Sequence, residues 1–252
     1  MRGWLASVTG VAEARMVLAA GASIVDCKNP GAGALGALPV ATVAAVVREV
    51  AGRVPVSATV GDFPAMDPEA VAGAVAEMAG SGVDYVKIGL FPAPRLAACL
   101  EALAGWAGRR PLVAVLFADR APDFSLLPRL AGLGFAGAML DTVGKVQGTG
   151  NGGLLAHQTP AALGDFVARA RDLGLLTGLA GSLGLADIDR LRPLAPDYLG
   201  FRGALCRGRA RAAELDPAAL AAVAERMAGG ALGVPLPGQG DGAAASLTPF
   251  VG

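Results

Sequence analysis

A short apolar run, a loop and an Ala/Leu-rich helical stretch recur eight times along this chain, and that alternation constrains the fold more than any other feature. The apolar runs read as strands near 4–8 (WLASV), 23–28 (SIVDCK), 54–60 (VPVSATV), 84–89 (DYVKIG), 111–117 (PLVAVLF), 136–141 (AGAMLD), 175–181 (LLTGLAG) and 197–202 (DYLGFR). Helices fill the intervals near 11–20, 39–51, 68–80, 94–106, 124–132, 160–173, 185–194 and 216–229. Asp67, Thr159 and Asp216 each precede a proline, which predicts an N-cap followed by a first-turn Pro. Gly21, Gly82, Gly134 and Gly174 fall between a helix and the next strand, where a helix stop belongs.

Eight such units in 1–230 predict a single (β/α)₈ TIM barrel, a fold of about 250 residues. A doubly wound open sheet is the competing architecture, because it shares the alternation. Residues 231–252 are Gly/Pro/Ala-rich without periodicity, and a flexible C-terminal tail is expected there.

Several classes of function are disfavoured by composition. Twenty-one basic and 21 acidic side chains cancel, with no basic stripe among aromatics, so no nucleic-acid partner is expected. No apolar run approaches the ~20 residues of a membrane span, and Glu13 and Arg15 interrupt the start before a signal-peptide core could form. Cys27, Cys99 and Cys206 are odd in number and far apart, which suits a reducing cytoplasm rather than a disulfide framework or a metal site. His157 is the sole histidine, so Ser–His and His-rich metal chemistry are disfavoured, and a structural role suits it better. Apolar positions on the outer helices serve a core or a homo-oligomer interface equally well.

Lysine usage is the sharper signal. The chain carries three lysines against eighteen arginines, and each lysine follows or lies in a strand: Lys28, Lys87 and Lys145. A desolvated lysine can lose its proton and act as nucleophile or base, which arginine cannot. Strand alternation then groups residues by face. Packing Val25 and Cys27 outward turns Asp26 and Lys28 inward. The same parity turns Lys87, Asp141 and Arg202 inward on the later strands. These strands are the second, fourth, sixth and eighth, which contribute to one layer of a barrel interior. The expectation is a charged tier at the C-terminal mouth, where a core built only for stability would use Val and Leu. Each residue also has a plainer reading: a strand-end Lys28 or loop Lys145 as a solvated charge, Asp141 as a loop cap. Asp62 and Asp119 rank lower, since loop aspartates are common.

A neutral lysine attacks an aldehyde or ketone, and the resulting iminium acidifies the adjacent carbon; a second lysine or a carboxylate then moves protons. Strand seven runs into GLAGS and strand eight into FRGA. In barrels these two loops often cradle phosphate on backbone N–H groups. Gly181, Ser182, Gly203 and Ala204 fit that role, with Arg202 as charged partner. The inferred substrate is a small phosphorylated carbonyl compound, and no metal site is expected.

The segments DCKNP (26–30), GALGA (33–37), VSATVGD (56–62), DYVKIGL (84–90), AMLDT (138–142), LAGS (179–182) and FRGALC (201–206) together resemble the (5-formylfuran-3-yl)methyl phosphate synthases. That family is also called 4-(hydroxymethyl)-2-furancarboxaldehyde-phosphate synthase, and the resemblance spans about 4–228. It implies a carbon–oxygen lyase that condenses two molecules of glyceraldehyde 3-phosphate, with loss of phosphate and water, in methanofuran-type C1-carrier biosynthesis. By motif, Lys28 would form the Schiff base and Lys87 would accept a proton. Asp26 and Asp141 would assist proton transfer. Lys145 keeps its spacing from Asp141 and would contact phosphate or join the relay, although the following VQGTGNGG departs from the family's pattern. The residues by themselves leave the two lysine roles interchangeable. They also admit a class I aldolase of other specificity, or a non-catalytic phosphometabolite-binding barrel.

Overall fold

The computed structural model describes residues 3–144 and 152–229. Its strands are β1 (Gly3–Val8), β2 (Ile24–Cys27), β3 (Val56–Thr59), β4 (Tyr85–Leu90), β5 (Leu112–Phe117), β6 (Gly137–Asp141), β7 (Leu176–Leu179) and β8 (Tyr198–Phe201). The helices are α1 (Val11–Ala19), α2 (Val40–Val50), α3 (Pro68–Ala79), α4 (Leu96–Ala107), α5 (Leu127–Gly132), α6 (Leu154–His157), α7 (Pro160–Asp172), α8 (Leu185–Leu191) and α9 (Pro217–Ala228). Each strand pairs in parallel with the next, and β8 pairs with β1, from Gly3 opposite Tyr198 to Ala6 opposite Phe201. That last pairing closes the barrel and excludes the open sheet.

Local chemistry sets the element ends. The Asp67 carboxylate accepts from the Glu69 and Ala70 N–H groups, Thr159 Oγ1 from Ala162, and the Asp216 carboxylate from Ala218. Each cap satisfies N–H donors that the first helical turn leaves free, and each stands before proline. The four expected stop glycines all adopt positive φ, between 75° and 89°. Among the features not foreseen are the short α6 and the 3₁₀ turns at Gly203–Leu205 and Arg207–Arg209; the expected helix near 124–132 begins as a 3₁₀ turn (Phe124–Leu126) capped by Asp123.

Burial divides by strand face. Outward residues such as Val25, Val86, Ile88, Ala138 and Leu140 are wholly or almost wholly buried between the strands and the helix layer. Inward residues follow the lateral registers, because partners across a parallel pair project to the same side. Met139 lies opposite Gly178, which lies opposite Tyr198. A Cβ on Gly178 would come within 2.3 Å of the Tyr198 ring, so glycine makes room for that buried tyrosine. The expected tail from 231, with Lys145, falls outside the described residues.

Candidate active site

Asp26 is the hub of the mouth. Ser7 on β1 and Ser57 on β3 are its lateral partners across β2, so all three side chains face inward. The Asp26 carboxylate accepts from Ser7 Oγ at 2.8 Å, Ser57 Oγ at 2.7 Å and Lys87 Nζ at 2.8 Å. Lys28, just beyond the end of β2, donates to Asp141 Oδ2 at 3.3 Å, and Asp141 Oδ1 accepts the Thr142 N–H. The four ionisable groups are 0% (Asp26), 2% (Lys87), 4% (Asp141) and 7% (Lys28) exposed.

Two ammoniums and two carboxylates sum to zero, which makes this burial tolerable. An isolated charge at such depth would cost several kcal/mol, whereas a hydrogen-bonded pair recovers much of that. Burial alone pushes the Asp26 carboxyl up. The charges of Lys87 and Lys28, with hydrogen bonds from Lys87 and Ser57, outweigh it and hold the carboxyl below its ordinary value. Burial, reinforced by the Asp26 charge, raises the Tyr198 phenol, so it stays a neutral O–H and points at Met139 Sδ, 3.5 Å away.

Asp26, Lys28, Lys87 and Asp141 are thus brought together as the strand parity predicts. They line one recess with Ser7, Gly181, Ser182, Gly203 and Ala204. Among the described residues, the N–H groups of Gly181, Ser182, Gly203 and Ala204 make no hydrogen bond. Gly181 and Ser182 adopt φ of 112° and 53°. A non-glycine residue held there costs about 1–2 kcal/mol, a strain that tends to mark binding loops.

Arg202 departs from expectation. It borders the recess, but its guanidinium is fully committed. Nε donates to the Arg211 carbonyl, Nη1 to the Ser7 carbonyl and Glu13, and Nη2 to Glu13 and the Ala213 carbonyl. A guanidinium has five N–H donors, so none remains for a phosphate. Arg202 instead fastens the loop after β8 to β1 and α1.

Asp62 and Asp119 are also fasteners. Asp62 accepts the Ala34 and Leu35 N–H groups, and Asp119 those of Val143 and Gly144, so each ties two loops of the mouth together. His157 is exposed at the end of α6. Ser7, Ser57, Glu13, Arg209 and Arg211 were missed in the sequence. For Ser7 and Ser57 the signal was a hydroxyl inside an apolar strand; for Glu13 on α1 and the loop residues Arg209 and Arg211 there was none, because their partners lie far away along the chain. Among the described residues, no three His, Cys, Asp or Glu side chains are grouped to hold a metal ion.

Fold and site define a class: a (β/α)₈ barrel with a buried lysine–carboxylate centre at its C-terminal mouth. The 4-HFC-P synthase family model matches residues 4–224, and this chain belongs to that family of synthases. A Methylorubrum extorquens protein that carries the name (5-formylfuran-3-yl)methyl phosphate synthase provisionally is 47% identical over 226 residues, covering 90% of this chain and 92% of the relative. The (5-formylfuran-3-yl)methyl phosphate synthase of Methanocaldococcus jannaschii is 36% identical, covering 81% of this chain and 90% of its own. In fold, the chain is similar to phosphoribosyl anthranilate isomerase of Thermotoga maritima, with a TM-score of 0.65, 13% identity and coverage of 91% and 100%.

Proposed function

We propose that this chain condenses two molecules of glyceraldehyde 3-phosphate to (5-formylfuran-3-yl)methyl phosphate, through a lysine Schiff base, for biosynthesis of a methanofuran-type C1 carrier. Two trioses minus one phosphoric acid and two waters give that product without a change of oxidation level. The balance therefore requires no redox cofactor.

The observation that carries the reading is the neutral quartet of Asp26, Lys28, Lys87 and Asp141, buried at the mouth of a barrel of this family. Lys28 is the better placed nucleophile. It lies nearer the opening than Lys87, and its contact with Asp141 is longer, at 3.3 Å against 2.8 Å. Asp141 can take the proton that Lys28 sheds before attacking the carbonyl. The amine adds, water leaves, and the iminium draws electrons from the adjacent C–H bond. Lys87, once it has passed its own proton to Asp26, accepts the carbon-bound proton as the enamine forms, and the enamine attacks the second aldehyde. Loss of phosphate and water, ring closure and hydrolysis of the iminium release the furan and restore Lys28. The backbone donors of Gly181, Ser182, Gly203 and Ala204 hold a substrate phosphate, and Arg202 keeps their loop in place. Lys145 enters only by its spacing after Asp141, as a phosphate contact or part of the relay.

The test is borohydride reduction of the purified protein with glyceraldehyde 3-phosphate, read by peptide mass and by furan formation. A triose-sized adduct on Lys28, absent in Lys28→Arg, supports the mechanism. An adduct on Lys87 exchanges the two roles. Phosphate release without any adduct refutes the Schiff base, and neither adduct nor release refutes the reaction.

A further inference from the structure

Two phosphorylated trioses bring two phosphates to one mouth, and a single N–H cradle serves only one. The loop between β8 and α9 holds two guanidiniums that border the recess, Arg209 and Arg211. Neither forms an ion pair among the described residues. Their obvious competitors are already committed: Asp62 to the N–H groups of Ala34 and Leu35, Asp141 to Lys28 and Thr142.

The two cations reach toward different loops of the mouth. Arg209 borders the recess beside Ser182 and packs over Gly184, where a Cβ would come within 2.3 Å of its Nη2. Its backbone is left-handed at φ 58°, an orientation a non-glycine residue adopts at a cost. Arg211 reaches the other way and donates from Nη2 to the Gly33 carbonyl at 3.1 Å, in the loop that follows Lys28. Arg202 holds the Arg211 and Ala213 carbonyls, so it acts as the positioning residue for this loop.

We propose that Arg209 and Arg211 each bind one of the two triose phosphates, Arg209 together with the β7/β8 N–H cradle and Arg211 on the β2 side beside Lys28. A guanidinium presents paired donors that match two phosphate oxygens, which suits it to this task. The idea rests on the two-triose reaction, but the sites can be tested without it.

Titration calorimetry of the full chain with inorganic phosphate is the direct experiment. Wild type and Arg207→Gln, an exposed arginine of the same loop, should each take up two phosphates per chain. Arg209→Gln and Arg211→Gln should each keep one, and the double variant none. For glyceraldehyde 3-phosphate, each single variant should raise KM on the order of 10- to 100-fold, the usual weight of a charged hydrogen bond. Gly184→Ala should weaken only the Arg209 site by displacing its guanidinium. Should a glutamine variant not fold, the lysine variant at that position, which keeps charge but loses the fork, should show the same site weakened. Two phosphates retained in either single variant, or fewer than two in wild type, would overturn the proposal. Lost phosphate sites in a protein that never makes furan would sink the reaction and leave the sites standing. Furan formation with phosphate binding unchanged in the variants would do the reverse.

Discussion

Replacing Asp26 with Asn asks whether the mouth is held by charge balance or by shape. The amide keeps the size of the carboxylate; its Oδ1 can still accept from Ser57 and Lys87, and its Nδ2 can donate to Ser7 Oγ, so the main loss is one negative charge. Lys87, 2.8 Å away with a side chain 3% exposed, is left as an ammonium without a counter-charge. Removing one partner of a buried pair costs about 3–5 kcal/mol, because the other charge stays desolvated. A domain of this size loses roughly 2–4 °C of midpoint per kcal/mol, so thermal unfolding should fall by roughly 6–20 °C. Adding Lys87→Met removes the orphaned charge, and the double variant should recover most of the loss. The double-mutant cycle should give a coupling of at least about 2 kcal/mol in denaturant titrations. The gap should also depend on pH. The Asp26 carboxyl lies below its ordinary value in the folded protein, so its contribution is present above the unfolded value, near 3.8, and is lost as pH falls through the folded value. The difference between wild type and Asp26→Asn should therefore narrow below about pH 4. A loss under about 1 kcal/mol for Asp26→Asn, or strict additivity with Lys87→Met, would refute the charge-balance argument.

Three further outcomes follow from the same geometry. Glu13→Gln leaves the Arg202 guanidinium without its carboxylate and should cost about 1–3 kcal/mol, with faster amide hydrogen exchange across 203–215. Gly178→Ala drives a methyl into the Tyr198 ring and should destabilise by about 1–3 kcal/mol; Tyr198→Leu in the same chain should relieve much of it, and a neutral Gly178→Ala would contradict the packing. Burial, helped by the Asp26 charge, pushes the Cys27 thiol up to about 12, and burial raises Cys99 and Cys206 as well. A thiol reagent at pH 8 should label none of the three in the native protein and all three in denaturant.

The eight strand–helix units, their caps at Asp67, Thr159 and Asp216, and the stops at Gly21, Gly82, Gly134 and Gly174 were legible in the sequence. Each is fixed by neighbours only a few residues away. The inward parity of Asp26, Lys87 and Asp141 was legible too, because a strand alternates its faces whatever lies across from it. Barrel closure was not certain from alternation, since it depends on β8 meeting β1 across almost two hundred residues. The partners within the mouth were also hidden: Lys28 with Asp141, Lys87 with Asp26, Ser7 and Ser57 converging on one carboxylate. Arg202 shows the limit most clearly. Its position beyond β8 predicts an inward cation, but Glu13 on α1, the Ser7 carbonyl on β1 and carbonyls of the following loop claim every donor. Arg209 and Arg211, ordinary loop arginines in the sequence, border the recess beside it and form no ion pair among the described residues. Sequence determines what a local segment can do; only the closed barrel decides which charges find each other, because pairing depends on distances that the chain order does not contain.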